Sequence, residues 1–262
     1  MLTELSQRYG ALEFIQESKH SLTYRTDQFV LKLYREKNQL EPETENLRRV
    51  GLGHLIHEVQ NTPEGDLLVT HRFPGLPVTA RTLRSALPGL KAFLDTVHAR
   101  KSDHRVNVQS IVRKVQQFQD IRDPENDFLF QILERALSAG TLETTTAFCH
   151  MDLWSNNILV TDHAEVLVID WVRARFDDPM RDLALLKAGT LDLLPEEEAL
   201  QAALAYVKTP AEQERFTAYL AFTYLNDLHW IPRNTPHTVP TEIPFKLERA
   251  RHALGMLSSK GV

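Results

Sequence analysis

The stretch that most constrains this chain runs from Phe148 to Asp170, FCHMDLWSNNILVTDHAEVLVID. His150, Asp152 and Asn157 stand in the pattern H-x-D-x-x-x-x-N, and an apolar run from Val166 to Ile169 ends on Asp170. Between Asn157 and Asp170 the residues read as a hairpin: Ile158 to Val160, a polar turn at Thr161-Asp162-His163, then Glu165 to Ile169. In an antiparallel pair the start of one strand lies beside the end of the next, so Asn157 and Asp170 are expected side by side. An amide oxygen and a carboxylate are the hard oxygen ligands that Mg²⁺ takes when phosphates supply the rest of its shell. Asp152, five residues before Asn157 in the preceding loop, is left free to meet a substrate hydroxyl. One carboxylate for a nucleophile and an Asn–Asp pair for a metal form the layout of a phosphoryl-transfer site. The competing reading is an ordinary hairpin with polar ends; three residues in register and an Asp closing a strand favour the site.

The chain upstream supplies what such a site needs. Residues 12–17, 21–26 and 28–34 read as three short strands. In the third, Phe29, Leu31 and Leu33 alternate with Val30, Lys32 and Tyr34. Lys32 thus shares a face with apolar Val30. It is either a snorkelling edge lysine or a lysine aimed at nucleotide phosphates, with Val30 packing on the base. The segment EPETENLRRVGLGHL from Glu41 is helical in type and stops at Gly51 and Gly53. Its Glu43 and Glu45 are both placed to pair with Lys32, and Glu45, which precedes the apolar face at Leu47, is preferred. A purely local role at the helix N-terminus is the alternative for either.

Residues 54–60 and 66–72 add two strands around the turn at 61–65. A proline-glycine step at Phe73 to Pro77 then marks the one internal boundary. It divides a sheet-rich lobe at 1–73 from a mostly helical lobe at 79–262, with a hinge at 74–78. Backbone groups from His71 to Phe73 are placed to meet an adenine edge.

Downstream, helices are expected at about 79–87, 88–99, 107–120 and 126–138; the polar region 100–126 gives no readable role. Past Asp170, Asp178-Pro179 starts a helix with Pro in its first turn and Asp182 close behind. Helices at about 195–207, 210–230 and 244–258 complete the lobe.

Composition excludes several classes. The 262 residues suffice for two modest lobes, and 42% hydrophobic with 25% charged content is that of a soluble globular protein. A net charge of −5 argues against nucleic acid as partner. Cys149 is the only cysteine, so a disulfide framework and a thiolate metal cluster are both excluded. No signal-peptide core or membrane-length apolar run is present, so a reducing cytoplasm is expected.

With Lys32, a helix glutamate, H-x-D-x-x-x-x-N, I-D-W and D-P-x-R-D-L-A in this order, the chain resembles the aminoglycoside phosphotransferase and choline kinase family over about residues 12–190. The resemblance implies an α+β, bilobal protein-kinase-like fold: a small five-stranded antiparallel lobe with one helix, and a larger, mostly helical lobe. It implies ATP or GTP with Mg²⁺, Asp152 as catalytic base, Asn157 and Asp170 as metal ligands, and Lys32 on the phosphates. His150 and Asp182 would buttress the loop. Three features depart from the family. The phosphate-covering loop is Ser18-Lys19-His20-Ser21, without glycine, so that Ser18 or Lys19 must substitute for backbone approach. Trp171 and Val172 follow Asp170, where protein kinases have Phe-Gly. The sequence H-M-D-L-W-S-N-N is close to that of the fructosamine-kinase branch.

Only seven residues separate Asp170 from Asp178, too few for a peptide platform. The acceptor is therefore expected to be a small hydroxylated molecule, cationic in kind (an aminoglycoside, choline or thiamine), with Trp154, Trp171, Asn226, Asp227 and Trp230 as candidate contacts. A ketosamine kinase and a degenerate kinase that only binds nucleotide are the alternatives.

Overall fold

A computed structural model of the chain describes residues 2–18, 20–62 and 65–259. It opens with a helix absent from the sequence reading, α1 (Leu2–Tyr9). Then come β1 (Glu13–Glu17), β2 (Ser21–Arg25), β3 (Phe29–Tyr34), α2 (Leu40–Arg49), β4 (Ile56–Thr62) and β5 (Gly65–His71). The five strands form one antiparallel sheet in the order β1-β2-β3-β5-β4. β3 lies at its centre, with Lys32 opposite Thr23 on one side and Leu68 on the other. The alternation of β3 sorts its two faces. Leu31 and Leu33 join Leu5, Tyr9, Leu67 and Val69 in a core closed by α1, whereas Tyr34 belongs to the main core with Leu40 and Leu47 of α2. The sheet therefore carries a helix on each side, not the single helix expected.

After β5 the chain makes the two-residue strand β6 (Leu76–Pro77), which pairs with a strand of the large lobe. α3 (Leu83–His98) replaces the two helices expected at 79–87 and 88–99. Pro88 lies inside it without dividing it, because Leu83, Ala86, Leu90, Leu94 and Val97 make one continuous buried stripe. The region that carried no readable role holds β7 (Lys101–Arg105), followed by α4 (Val108–Phe118) and α5 (Asp127–Ser138). β7 pairs with β8 (Thr145–Cys149), the strand that delivers the chain to His150. Its sequence KSDHR is polar throughout because it is a mostly exposed edge strand.

The hairpin follows as β9 (Ile158–Val160) and β10 (Val166–Val168), and β11 (Arg175–Asp177) covers the other edge of β8. α6 (Pro179–Gly189) starts as expected, with Pro179 in the first turn and the Asp178 carboxylate accepting the Met180 N–H at 3.0 Å. α7 (Glu196–Leu204), α8 (Pro210–Asn234) and α9 (Val239–Ser259) complete the lobe. α8 begins in a capping box of Thr209 and Glu212 and is buried against α5, α6 and α9. Among the described residues no helix is long and apolar enough to cross a membrane.

Candidate active site

The site is built where β8, the hairpin and β3 converge. Val168 pairs with Ile158, and the Ile169 N–H donates to the Asn157 carbonyl at 2.9 Å. This pairing sets Asn157 beside the end of β10, and both Asn157 and Asp170 line one cleft. The other walls of the cleft include Val30, Lys32, Thr70, His71 and Phe73. The Phe73 ring lies so close over Gly75 that a Cβ there would meet it at 2.5 Å. A side chain at 75 would therefore push the ring out of the cleft wall.

Asn157 turns its amide nitrogen toward Asp152, at 2.9 Å from the Asp152 carbonyl and 3.2 Å from its carboxylate. The amide oxygen of Asn157 and the Asp170 carboxylate form a hard-oxygen donor set that fits Mg²⁺. The Lys32 ammonium bridges Glu43 at 2.9 Å and Asp170 at 2.8 Å. Burial alone would lower its pKa, but the two carboxylates outweigh it and hold Lys32 above its ordinary value.

The partner of Lys32 is thus Glu43, and the preference for Glu45 is corrected. α2 begins at Leu40, so its buried face runs through Leu40, Glu43, Thr44 and Leu47, while Glu45 points to solvent. Leu40, four residues before Thr44 and seven before Leu47, was the signal that favoured Glu43. Glu43 also accepts a hydrogen bond from the buried Tyr34 hydroxyl.

The loop carrying Asp152 is held from beneath. Asp182 on α6 is fully buried and accepts the N–H groups of His150 at 2.8 Å and Met151 at 2.7 Å. His98 at the end of α3 adds a third contact at 3.0 Å. Burial raises the Asp182 pKa, yet the His98 contact and the backbone donors turn the balance and hold it below the usual carboxylate range. His150 Nε2 faces the Ile169 carbonyl at 2.9 Å and its Nδ1 accepts the Asp152 N–H at 3.2 Å, which fixes the tautomer with the proton on Nε2. Both His150 and Asp182 thus brace the loop without facing the cleft. Met151 has φ 67, a left-handed backbone that a side chain rarely adopts, pinned here by Asp182.

Arg173 escaped the sequence reading. A one-turn 3₁₀ helix at Trp171–Arg173 brings its guanidinium to 3.8 Å from the Asp152 carboxylate. Burial raises the Asp152 pKa; Arg173 pulls it down and the charge of Asp170 pushes it up, with the net shift upward. Asn46 was missed too: its side-chain amide donates to the carbonyls of Trp171 and Ala174.

The acceptor candidates divide. Trp171 is fully buried, stands edge-on to His150 at 4.5 Å and donates its indole N–H to the Val168 carbonyl at 2.8 Å. It is a core residue, which corrects its placement in a substrate pocket. Asp227 is corrected as well: it is buried and paired with Lys246 at 3.1 Å, so its charge is already taken. Trp154 is half-buried over Gly189, with the Lys246 ammonium 5.2 Å from its ring. Asn226 is half-buried and Trp230 exposed. Ser18 spends its hydroxyl on the turn between β1 and β2, accepting from Ser21 N–H at 3.0 Å. Lys19 lies outside the described residues.

A five-stranded antiparallel sheet joined to a helical lobe, with Lys32, Glu43 and Asp170 in one chain of contacts, is a protein-kinase-like phosphotransferase fold. The chain belongs to the Phosphotransferase enzyme family (APH), whose pattern matches residues 13–220. Solved structures agree in fold. A thermostable variant of aminoglycoside phosphotransferase APH(4)-Ia superimposes with TM-score 0.72 at 16% identity, covering 100% of both chains. Choline kinase LicA from Streptococcus pneumoniae gives 0.62 at 15%, covering 98% of each chain. A choline/ethanolamine kinase family protein from Mesorhizobium loti gives 0.63 at 16%, covering 99% of this chain and 94% of that one. No curated protein sequence matched the chain.

Proposed function

We propose that this chain transfers the γ-phosphoryl group of ATP or GTP, with Mg²⁺, to a hydroxyl of a small molecule. One observation carries the reading: Lys32 bridges Glu43 and Asp170 in the cleft that Asn157 also lines, and Asn157 holds Asp152 on its far side. In this reading Val30 and Phe73 flank the base, the backbone near His71 meets its edge, and Lys32 moves from Asp170 to the phosphates. Ser18 is assigned to the phosphate-covering turn. Asn157 and Asp170 hold Mg²⁺, which neutralises phosphate charge when bound. Asp152 orients the acceptor hydroxyl and takes its proton, and Arg173 stands beside it to counter charge that builds on the phosphoryl group.

A small acceptor is supported by the short connection after Asp170. The turn Trp171–Arg173 and β11 fill it, leaving no length for a peptide-docking segment. Structural neighbours solved as ternary complexes with ADP or AMP-PNP and hygromycin B support both a nucleotide and a small-molecule acceptor. The cationic character expected of the acceptor loses its support, since Asp227 is paired with Lys246, whose ammonium also covers the Trp154 ring, and Glu43 and Asp170 are paired with Lys32. The division of the chain into lobes at 1–73 and 79–262 is part of the proposal. Because Leu76 and Pro77 pair with β9, the free joint between the lobes shortens to Phe73–Gly75.

The test is release of ADP over a panel of amino alcohols, aminoglycosides, thiamine, ketosamines and neutral sugars, with casein as control. Turnover confined to one small hydroxylated class is expected. Transfer to casein, or no nucleotide binding at all, would overturn the reading.

A further inference from the structure

Helix α2 lies in the chain between strands of the small sheet, yet it also reaches across to the turn after Asp170. Its Leu40, Leu47 and Val50 belong to the core that runs through the large lobe, while the opposite face of the sheet has a separate core under α1. Two more of its side chains cross between the lobes. Asn46, only 6% exposed, donates from its amide nitrogen to the Trp171 carbonyl at 2.9 Å and the Ala174 carbonyl at 3.2 Å. The Arg49 guanidinium lies 5.1 Å over the Phe148 ring and 5.7 Å over that of Phe176.

We propose that Asn46 is a positioning residue, clamping the turn after Asp170 to the helix that carries Glu43. This deepens the kinase reading above and rests on it. The two carbonyls that Asn46 grips bracket the turn Trp171–Arg173, the first of them also accepting from the Ala174 N–H at 3.2 Å. Directly before that turn Asp170 has φ 65, a left-handed backbone that aspartate tolerates better than most L-residues but that its surroundings must still hold. Asparagine suits the task because it presents two N–H donors from one short planar group. Aspartate would turn acceptors toward two carbonyls. Glu43 and Asn46 are three residues apart and share one face of the helix. A single rigid element therefore fixes both the partner of Lys32 and the backbone of the proposed metal ligand.

The test reads nucleotide binding, which needs no acceptor. ADP affinity is measured by calorimetry with Mg²⁺ and again with EDTA, for the native chain and for Asn46→Ala, Asn46→Ser, Asn46→Asp and Val50→Ala. In Asn46→Ala the metal-free affinity is expected to hold while the tightening by Mg²⁺ weakens about 10–100-fold, the usual reach of a partner once removed from a metal ligand. Asn46→Asp should lose at least as much. Asn46→Ser, which keeps one donor, should lose less and covers the case in which the alanine variant does not fold. Val50→Ala loosens the same helix without touching the clamp and should keep the tightening. Native tightening in the Asn46 variants, or an equal loss in Val50→Ala at matched Tm, overturns the proposal. A native chain that binds no ADP in Mg²⁺ overturns the kinase reading instead, before any variant is made.

Discussion

Asp152 is a carboxylate under opposed influences. Burial and Asp170 raise its pKa, and Arg173 at 3.8 Å restrains the rise. A proton acceptor works better as its pKa approaches the working pH. Asp152→Asn should therefore lower kcat by about 10²–10⁴-fold, the range for a positioned acid–base group, with ADP affinity unchanged. Near-native turnover in that variant would remove the role. As the proposed base, Asp152 must be ionised, so kcat/KM should fall with acid at a pH above that of an ordinary aspartate. Arg173→Ala, which deletes the restraining charge, should move that limb to higher pH still; a pH–rate profile of the two proteins decides it. For the lysine pair the corrected expectation is that Glu43→Gln depresses kcat/KM and costs about 1–3 kcal/mol of stability, because the buried Lys32 ammonium keeps an amide oxygen but loses the charge that faced it. Glu45→Gln, at an exposed position, should stay within about 0.5 kcal/mol. At this scale the sequence was legible where hairpin register fixed the geometry, as in the placement of Asn157 beside the end of β10. It was not legible where a helix phase had to be set by one residue, Leu40, or where a contact such as Asn46 to Trp171 spans the chain.

α6 shows how an element can serve a loop it does not contain. Its start is fixed by the Asp178 cap and Pro179, and Arg215 of α8 locks that cap at 2.8 Å. Asp182, one turn in, then meets two backbone N–H groups of the loop that carries Asp152. Asp182→Ala should cost about 1–3 kcal/mol for each of those buried donors left unpaired, and should abolish activity by releasing the loop. Asp182→Asn separates charge from shape. The folded-state pKa of Asp182 is depressed, so its stabilisation is complete above the unfolded-state value near 3.8 and disappears as pH falls through the lower folded value. Tm measured down the acid limb should thus fall less steeply in Asp182→Asn than in the native chain. The hairpin and α6 could be read from alternation and from Asp-Pro because local signals and tertiary demands agree there. β7 could not, since an edge strand on β8 needs no apolar residues of its own. α3 could not either, since the buried stripe on both sides of Pro88 overrides the break that proline signals.

At the scale of the molecule, the large lobe holds ionic pairs in its interior that no local pattern announces. Asp227 of α8 meets Lys246 of α9, and burial pushes the Asp227 carboxyl up to about 6 against the pull of the lysine. Removing one partner leaves a buried charge alone, which typically costs about 3–5 kcal/mol. Asp227→Ala should lose that much in urea unfolding at neutral pH, and Asp227→Ala with Lys246→Met should regain most of it. A double variant no more stable than the single one would mean that Asp227 is needed for something other than its pair. The two-lobe plan was legible from the switch at Phe73–Pro77 between strand and helix patterns. The reach of α2 to the turn after Asp170 was not, because Asn46 and Trp171 are far apart in the chain.

The burial of Trp171 makes the protein its own optical probe. Its three tryptophans stand at three depths: Trp171 fully buried, Trp154 half-buried, Trp230 49% exposed. Aqueous iodide should quench Trp230 first and leave a blue-shifted, resistant emission from Trp171. That indole is the residue next to Asp170 and packs on His150, Phe93 and Phe148, so the resistant component reports on the floor beneath the proposed site. A Trp230→Phe variant would give a cleaner signal, in which nucleotide and metal arriving at the cleft can be followed by emission without a label.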